Sequence, residues 1–245
     1  MSLAGALKFG RYAFAPNQLG YCGPDDNESL FDYVTEKRPD QGLVELERRF
    51  EGAYPYLCLI AGANGIADPF DQRVVDAYWI GNDLLNGVGH GAMYESLSDR
   101  FRPRMKSTDF RWLTAKLGAA RPHHNFHVFD IYVRTGLMRD EKARVALGAM
   151  DSCRVSWGKV MGVEGPDLIV ERPELTYMDG RLGLSEPRVT RVTRQHEGRG
   201  FIDEAKLGDM VSVHWSWACD RLTPDALRRL RQATDQCLAL ANMTI

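Results

Sequence analysis

The hydrophobic pattern of this 245-residue chain changes near Asp151, and that change restricts the possible folds more than any other feature. Before it, apolar residues such as Val74 and Tyr78 recur at helical spacing, and Gly and Pro separate the segments. After it, short segments rich in valine and aromatic residues alternate with Gly, Asp and Pro, which is typical of strands. The pattern predicts an α+β protein with two domains: a bundle of about six or seven helices over residues 1–150 and a strand-rich domain over residues 151–245.

The second domain is predicted to be a small closed barrel followed by a helix. The segment YMDGRL carries an Asp-Gly pair, which is the usual turn of a tight hairpin. Several short strands within about seventy residues are too few for a sandwich and favour a five-stranded, OB-like barrel. Thr223 is suited to cap the final helix, with Pro224 in its first position.

The composition is that of an ordinary soluble protein. A formal net charge of −2 provides no general attraction to nucleic acid or to an anionic membrane. The five cysteines are an odd number without a C-x-x-C pair, so neither a disulfide framework nor a zinc knuckle is indicated. The opening segment lacks a secretory hydrophobic stretch, and no run reaches the roughly 18 apolar residues of a membrane span. We therefore expect a cytoplasmic protein without a membrane partner.

Cys153 and His214 form the first candidate metal site. Cys153 stands at the head of the first predicted strand, and His214 lies on the last one. The first and last strands of a small closed barrel are commonly neighbours, so the two side chains could meet at one rim. A thiolate beside an imidazole suits a soft or borderline ion such as iron(II) and leaves positions open for other ligands. The alternative is a structural role for both, as a buried cysteine and a satisfied barrel histidine.

Two sequence elements lie at the ends of the predicted barrel. The first comprises Cys153 and residues 158–160 and 168–170, and the second comprises residues 208–209, 211–214 and 226. In order and spacing they resemble the HypC family of NiFe-hydrogenase maturation chaperones, which are small β-barrels that open with a cysteine and close with a histidine-bearing strand and a helix. The sequence departs from that family in several features, among them Ser216-Trp217 in place of a Gly-Phe pair and a longer middle of the barrel. In addition, the family's cysteine is the first residue of the processed chain, and Trp157 stands where the family usually has proline.

The resemblance implies an iron carrier. In the HypC family the cysteine and the histidine are associated with iron that bears cyanide and carbon monoxide, so Cys153 and His214 would hold the Fe(CN)2CO fragment or its precursor. The implied partners are a HypD-like maturation scaffold and a hydrogenase large-subunit precursor. The whole chain also resembles a bacterial family that opens with KFGRYAFAPNQLGYCGPD and is encoded near hydrogenase genes. We therefore expect a metallochaperone more than a catalyst, and no catalytic residue is predicted.

A second candidate site lies in the helical half. The segment RPHHNFHVFDIYVRTG contains His123, His124 and His127, and on a helix the first and third would share one face, as paired metal ligands do. Such a site would bind a metal or handle a small reactive molecule. Further candidate ligands for it are Cys22, Asp25 and His90. The alternative is that these histidines only hydrogen-bond loop carbonyls near a helix start.

Two other functions compete with the carrier. Nucleic-acid binding would use the barrel, whose arginines could contact phosphates and whose tryptophans could stack on bases. These residues are Arg181, Arg188, Arg191, Arg194, Arg199, Trp215 and Trp217. A solvated strand face is the structural alternative for the arginines, and we do not expect nucleic acid as a partner. A metal-dependent oxidase or hydrolase would instead use His123 and His127, with the barrel as an appended module.

Overall fold

The computed structural model describes residues 3–131 and 143–243, which form a helical part, a sheet part and a C-terminal helix. The α-helices of these ranges are α1 (Leu3–Gln18), α2 (Asn27–Glu36), α3 (Gln41–Arg48), α4 (Tyr54–Ala63), α5 (Gln72–Trp79), α6 (His90–Phe101), α7 (Ser107–Thr114), α8 (His124–Phe126), α9 (Ala143–Cys153) and α10 (Pro224–Ala241). Two 3-10 turns, Asp83–Gly87 and Arg102–Arg104, and a π-helical turn, His127–Ile131, accompany them. The predicted α+β class is confirmed.

The strands of the described ranges all follow α9. They are β1 (Ser156–Glu164), β2 (Asp167–Arg172), β3 (Leu175–Met178), β4 (Arg181–Leu184), β5 (Arg188–Thr193), β6 (Gln195–His196), β7 (Arg199–Gly200), β8 (Met210–His214) and β9 (Trp217–Arg221). The sequence order of helices, strands and final helix therefore agrees with the change of hydrophobic pattern.

Helix lengths and caps follow from local sequence. Helices α3, α5 and α7 are each eight residues long, so the described part of the chain holds more helices than the six or seven predicted. The Thr223 side chain accepts a hydrogen bond from the backbone N–H of Ala226 (3.1 Å), and Pro224 is the first residue of α10, as predicted. None of the helices in the described ranges has both the length and the apolarity that crossing a membrane requires.

Five strands form a closed barrel in the order β1-β2-β5-β9-β8. Neighbouring strands are antiparallel except β5 and β9, which are parallel and pair through Thr193 and Trp217. The other four strands form two separate two-stranded sheets, β3-β4 and β6-β7. Asp179 and Gly180 connect β3 to β4 with φ angles of 51° and 75°, the left-handed pair that a tight Asp-Gly hairpin turn requires.

Helix α1 packs against both the other helices and the barrel. Among the helices it contacts α2 and α5. On the barrel side, the Phe14 ring lies edge-on to Trp217 with centroids 5.0 Å apart, and the hydroxyl oxygens of Tyr12 and Ser212 are 2.8 Å apart. The buried residues of the helical part and the barrel form one continuous hydrophobic core. The division into two domains at residue 151 stays a prediction.

Cys153 is the last residue of α9, and β1 begins only at Ser156, so the prediction that Cys153 opens the first strand is wrong. The reason lies in the charges at the helix end. The Asp151 carboxylate accepts hydrogen bonds from Arg154 Nε (2.9 Å) and Arg172 Nη2 (2.7 Å). These hydrogen bonds join the last turn of α9 to strand β2 of the barrel. They stabilise the helix as far as Cys153, beyond the point at which the hydrophobic pattern changes.

The Asp151 contacts generate a stability prediction. Asp151→Asn removes the carboxylate charge beside Arg154, whose side chain is fully buried. We expect the free energy of unfolding to fall by about 3 kcal/mol, because a buried charge without its partner is costly. Urea unfolding followed by circular dichroism measures the change. Asp167→Asn is the matched control, since Asp167 pairs with the exposed Arg191 and should contribute far less. Equal losses in the two variants would contradict the prediction.

Candidate metal centre

Three potential metal ligands converge where the helical part meets the barrel. His124 begins α8, Cys153 ends α9 and His214 ends β8. Their ligand atoms all lie within 4.8 Å of one another. Both histidines are buried, and Cys153 is half-buried. The structure thus brings together the Cys153–His214 pair that the sequence suggested and adds His124 from the second predicted cluster.

His214 has one ring nitrogen without a partner. Its Nδ1–H donates to the Tyr12 carbonyl oxygen at 2.7 Å, which leaves the lone pair on Nε2. That Nε2 atom is buried and makes no hydrogen bond with any residue of the described ranges. Burial lowers the pKa of His214 to about 4, although the hydrogen bond to the Tyr12 carbonyl opposes the shift. A neutral imidazole with a buried, free lone pair fits a metal ligand.

His124 is oriented by hydrogen bonds on both ring nitrogens. Its Nε2–H donates to the Cys153 carbonyl oxygen (2.8 Å), and Nε2 lies 3.8 Å from the Cys153 sulfur. Its Nδ1 accepts from the Tyr78 hydroxyl (3.0 Å). Burial lowers the pKa of His124 well below its usual value, and the neighbouring His214 adds to the shift. Because the Tyr78 hydroxyl can also accept, the ring proton can move to Nδ1 and free Nε2 for a metal.

The Cys153 sulfur is a protonated thiol near neutral pH. Burial raises its pKa to about 12, and the thiol of Cys22 adds to the increase, while the indole N–H of Trp215 opposes it. A thiolate, not a thiol, is the form that binds a metal. A metal ion at this position must therefore displace the thiol proton, so its affinity depends on pH.

A strained turn lies next to the sulfur. Trp215 and Ser216 connect β8 to β9 with φ angles of 51° and 59°, a region that residues other than glycine rarely occupy. The backbone N–H of Trp215 donates to the Ser152 carbonyl (2.7 Å), and the Trp215 ring stacks on Tyr21 with centroids 4.3 Å apart. The turn therefore places a stacked aromatic pair beside Cys153.

The indole ring of Trp79 packs against both imidazole rings. The Trp79 ring centroid lies 4.6 Å from that of His124 and 5.5 Å from that of His214. On its other side, Trp79 stacks on Tyr12 at 5.1 Å, the residue whose carbonyl holds His214. Aromatic packing thus restricts the rotation of both histidine rings.

His123 and His127 do not join this group. His123 precedes α8 in an extended conformation (φ −88°, ψ 149°), and its Nδ1 accepts a hydrogen bond from the Asn125 N–H (3.0 Å). Because its ring caps the helix instead of lying on it, the expectation that His123 and His127 share one helical face is wrong. His127 packs against Tyr56, whose hydroxyl lies 3.2 Å from its Nδ1.

The other candidate ligands of the helical half are exposed. Cys22 lies outside the three-ligand group but close enough to Cys153 to raise the pKa of its thiol. Asp25 and His90 are exposed, and His90 stacks on Tyr94 at the start of α6. The structure therefore does not assemble the set of Cys22, His123 and His127 that the sequence suggested.

The role of His124 beside Cys153 could not be read from spacing. The helical spacing favoured His123 and His127 as ligands, because the predicted helix already included His123. Pro122, which marks a helix start, was the one available signal that the register begins later.

The chain belongs to a family of unknown function, DUF6390, whose model matches residues 1–245. No curated protein and no solved structure matches it. Function is therefore inferred from the chemistry of the site.

The buried, neutral His214 makes stability depend on pH. Its pKa is about 4 in the folded protein and about 6.5 when unfolded, so the unfolded chain binds more protons below pH 6.5. Stability should therefore fall as the pH decreases from 7 towards 4, with His214 contributing about 2 kcal/mol of the loss at about pH 5.

His214→Gln should reduce that pH-dependent loss by the same amount. Urea unfolding of the metal-free protein at about pH 7 and about pH 5, in the presence of a chelator, measures this loss of stability. Val213→Ala removes buried apolar atoms but no titratable group, so it should lower stability equally at both pH values. A pH slope of His214→Gln equal to that of the wild type would contradict the prediction.

Proposed function

We propose that the chain is a cytoplasmic accessory protein for NiFe-hydrogenase maturation that carries iron on Cys153, His214 and His124. The observation on which this proposal depends is the convergence of one sulfur and two imidazoles within 4.8 Å. These three residues come from separate elements, and no local feature of the chain requires them to meet. Their assembly at one point is what a metal carrier needs.

The donor set supports a transition metal. Thiolate and imidazole together suit soft and borderline ions, and three protein ligands leave positions open for ligands that the metal brings with it. The unpartnered Nε2 of His214 is a buried polar atom that a metal would satisfy. The Tyr12 carbonyl and the Tyr78 hydroxyl hold the remaining ring nitrogens, as metal-bound histidines usually require.

The resemblance to the HypC family supports iron as the cargo. The barrel of that family is small and OB-like, and the family's cysteine and histidine correspond to Cys153 and His214. We propose the Fe(CN)2CO fragment, or its precursor, as the cargo, with a HypD-like scaffold and a hydrogenase large-subunit precursor as partners. Here the cysteine is the last residue of a helix instead of the first residue of the chain, and His124 would be a further ligand.

The residues of the chain would prepare the site for this cargo. The Cys153 thiol would lose its proton to solvent. His124 would shift its ring proton from Nε2 to Nδ1, and Nδ1–H would then donate a hydrogen bond to the Tyr78 hydroxyl oxygen. His214 needs no rearrangement, since its lone pair is already free.

The two alternative functions receive less support. On the barrel, Arg188, Arg191 and Arg199 each form an ion pair with a carboxylate, and Trp217 is buried, which reduces what they offer to a nucleic acid. A metal-dependent enzyme built on His123 and His127 would need the two rings on one face, and the structure separates them.

Infrared spectroscopy tests the carrier. After anaerobic purification from a host that expresses hydrogenase genes, the wild type should show the stretching bands of iron-bound cyanide and carbon monoxide. Cys153→Ala should lose them, because it removes the only sulfur of the three-ligand group. Cys58→Ala is the matched control, since Cys58 is an exposed free thiol on α4. Bands that persist in Cys153→Ala would overturn the proposed role.

The protonation state of Cys153 predicts the pH dependence of metal affinity. Because one thiol proton leaves when the metal binds, the affinity should rise about tenfold per pH unit between about pH 6 and 8. The histidines add no further slope there, since burial holds their pKa values well below this range. Cobalt(II) is a suitable probe, because thiolate ligation gives it a charge-transfer absorption. Cys153→Ser should abolish that absorption, and an affinity independent of pH would contradict the prediction.

A further inference from the structure

A large open cleft lies beside the three-ligand group and has no part in the carrier proposal. Its volume is about 1120 Å³, and it lies between the loop after α1, the start of α4 and the end of α6. Four arginines line it against two carboxylates, a net charge of +2 in a chain whose formal net charge is −2. The charged residues are Arg48, Arg49, Arg100, Arg104, Glu51 and Asp99.

Arg100 is fixed in the cleft without a carboxylate partner in the described part of the chain. Its Nη2 donates to the backbone carbonyls of Glu51 (3.3 Å) and Gly52 (3.1 Å). Its guanidinium carbon lies 4.2 Å from the centroid of the Tyr56 ring and 4.8 Å from that of Phe101. Its Nη1 is buried and has no hydrogen-bond partner among the described residues. The guanidinium is therefore oriented, but its charge is not balanced.

The other cleft arginines also lack a carboxylate partner in the described part of the chain. Among residues 3–131 and 143–243, no carboxylate forms an ion pair with any of the four. By contrast, Arg172, Arg191 and Arg199 elsewhere in the molecule each have a carboxylate within 2.7 Å. The cleft thus concentrates positive charge that no ion pair within the described ranges neutralises.

We propose that the cleft binds a phosphate-bearing small molecule of nucleotide size. Guanidinium groups hold phosphate through paired hydrogen bonds. A phosphate monoester carries about −1.5 to −2 charges near neutral pH and so matches the net +2 of the lining better than a single carboxylate does. The volume of about 1120 Å³ slightly exceeds the usual range of small-molecule pockets, about 300–1,000 Å³, so the ligand has an organic part. The rings of Tyr21, Tyr54 and Phe101 line the same cleft and can pack against it.

The bound molecule would lie next to the candidate metal centre. Tyr21 and His127 line the cleft. The Tyr21 ring stacks on Trp215, the residue after His214, and His127 directly follows α8, which begins with His124. None of the four arginines belongs to the three-ligand group. Phosphate binding therefore needs no metal, and the two sites can be tested separately.

Isothermal titration calorimetry of the metal-free, full-length protein with ATP tests the site. We expect saturable binding at one site, weakened by added salt. Arg49→Glu and Arg104→Glu should each lower the affinity at least roughly tenfold, because a charge-assisted contact contributes about 1.5–3 kcal/mol. Both side chains are exposed, so the variants should fold normally. Arg181→Glu is the matched control, since Arg181 is an exposed arginine on β4 that lies outside the cleft, and it should bind as the wild type does.

Three outcomes would overturn the inference. The first is no saturable binding of ATP up to about 1 mM, and the second is an equal loss of affinity in Arg181→Glu. The third is tighter binding of citrate than of ATP, which would assign the cleft to carboxylates. Inorganic tripolyphosphate has the phosphate chain of ATP without its organic part. If it binds as tightly as ATP does, the inference that the ligand has an organic part is overturned. Since no metal is present, each result is independent of the infrared test.

Discussion

The hydrogen bond from His214 Nδ1 to the Tyr12 carbonyl is the contact on which the proposed site depends. It joins the last residue of β8 to the middle of α1, across 202 positions of sequence. It also fixes which ring nitrogen carries the proton and so leaves Nε2 free beside Cys153. The same part of α1 packs on the barrel through the Tyr12 hydroxyl and Phe14, so the packing of the two parts and the tautomer of His214 are coupled.

The three-ligand group exists only where the helical part and the barrel touch. His124 comes from α8, Cys153 from the end of α9 and His214 from the barrel, so neither part holds the complete set. The barrel supplies one ligand on a strand, and the helices supply the other two. This division gives the helical part a chemical role in the proposed carrier, beyond that of a docking surface. It also means that a shift of the helices against the barrel would alter the metal site directly.

The electrostatics of the two neighbouring sites are opposite in kind. In the three-ligand group, burial keeps both histidines neutral and the Cys153 thiol protonated, so the metal-free centre carries no charge near neutral pH. In the adjoining cleft, Arg100 and its neighbours keep their charge exposed to solvent or held against aromatic rings. A cation and an anionic molecule could therefore bind side by side, each at the site whose charge state suits it. Cys22 and His127 line the cleft.

The sequence by itself determined the features that depend on near neighbours. These are the change from helical to strand pattern, the Asp-Gly turn at Gly180, the cap at Thr223, and the residue types of the Cys153–His214 pair. Such features follow from backbone preferences and side-chain periodicity over a few positions. Only the tertiary structure decided that Cys153 ends a helix and that His124, not its neighbours, faces the sulfur. Those outcomes depend on contacts between distant segments, such as the Asp151 network and the Tyr12 bond, and spacing along the chain does not encode them.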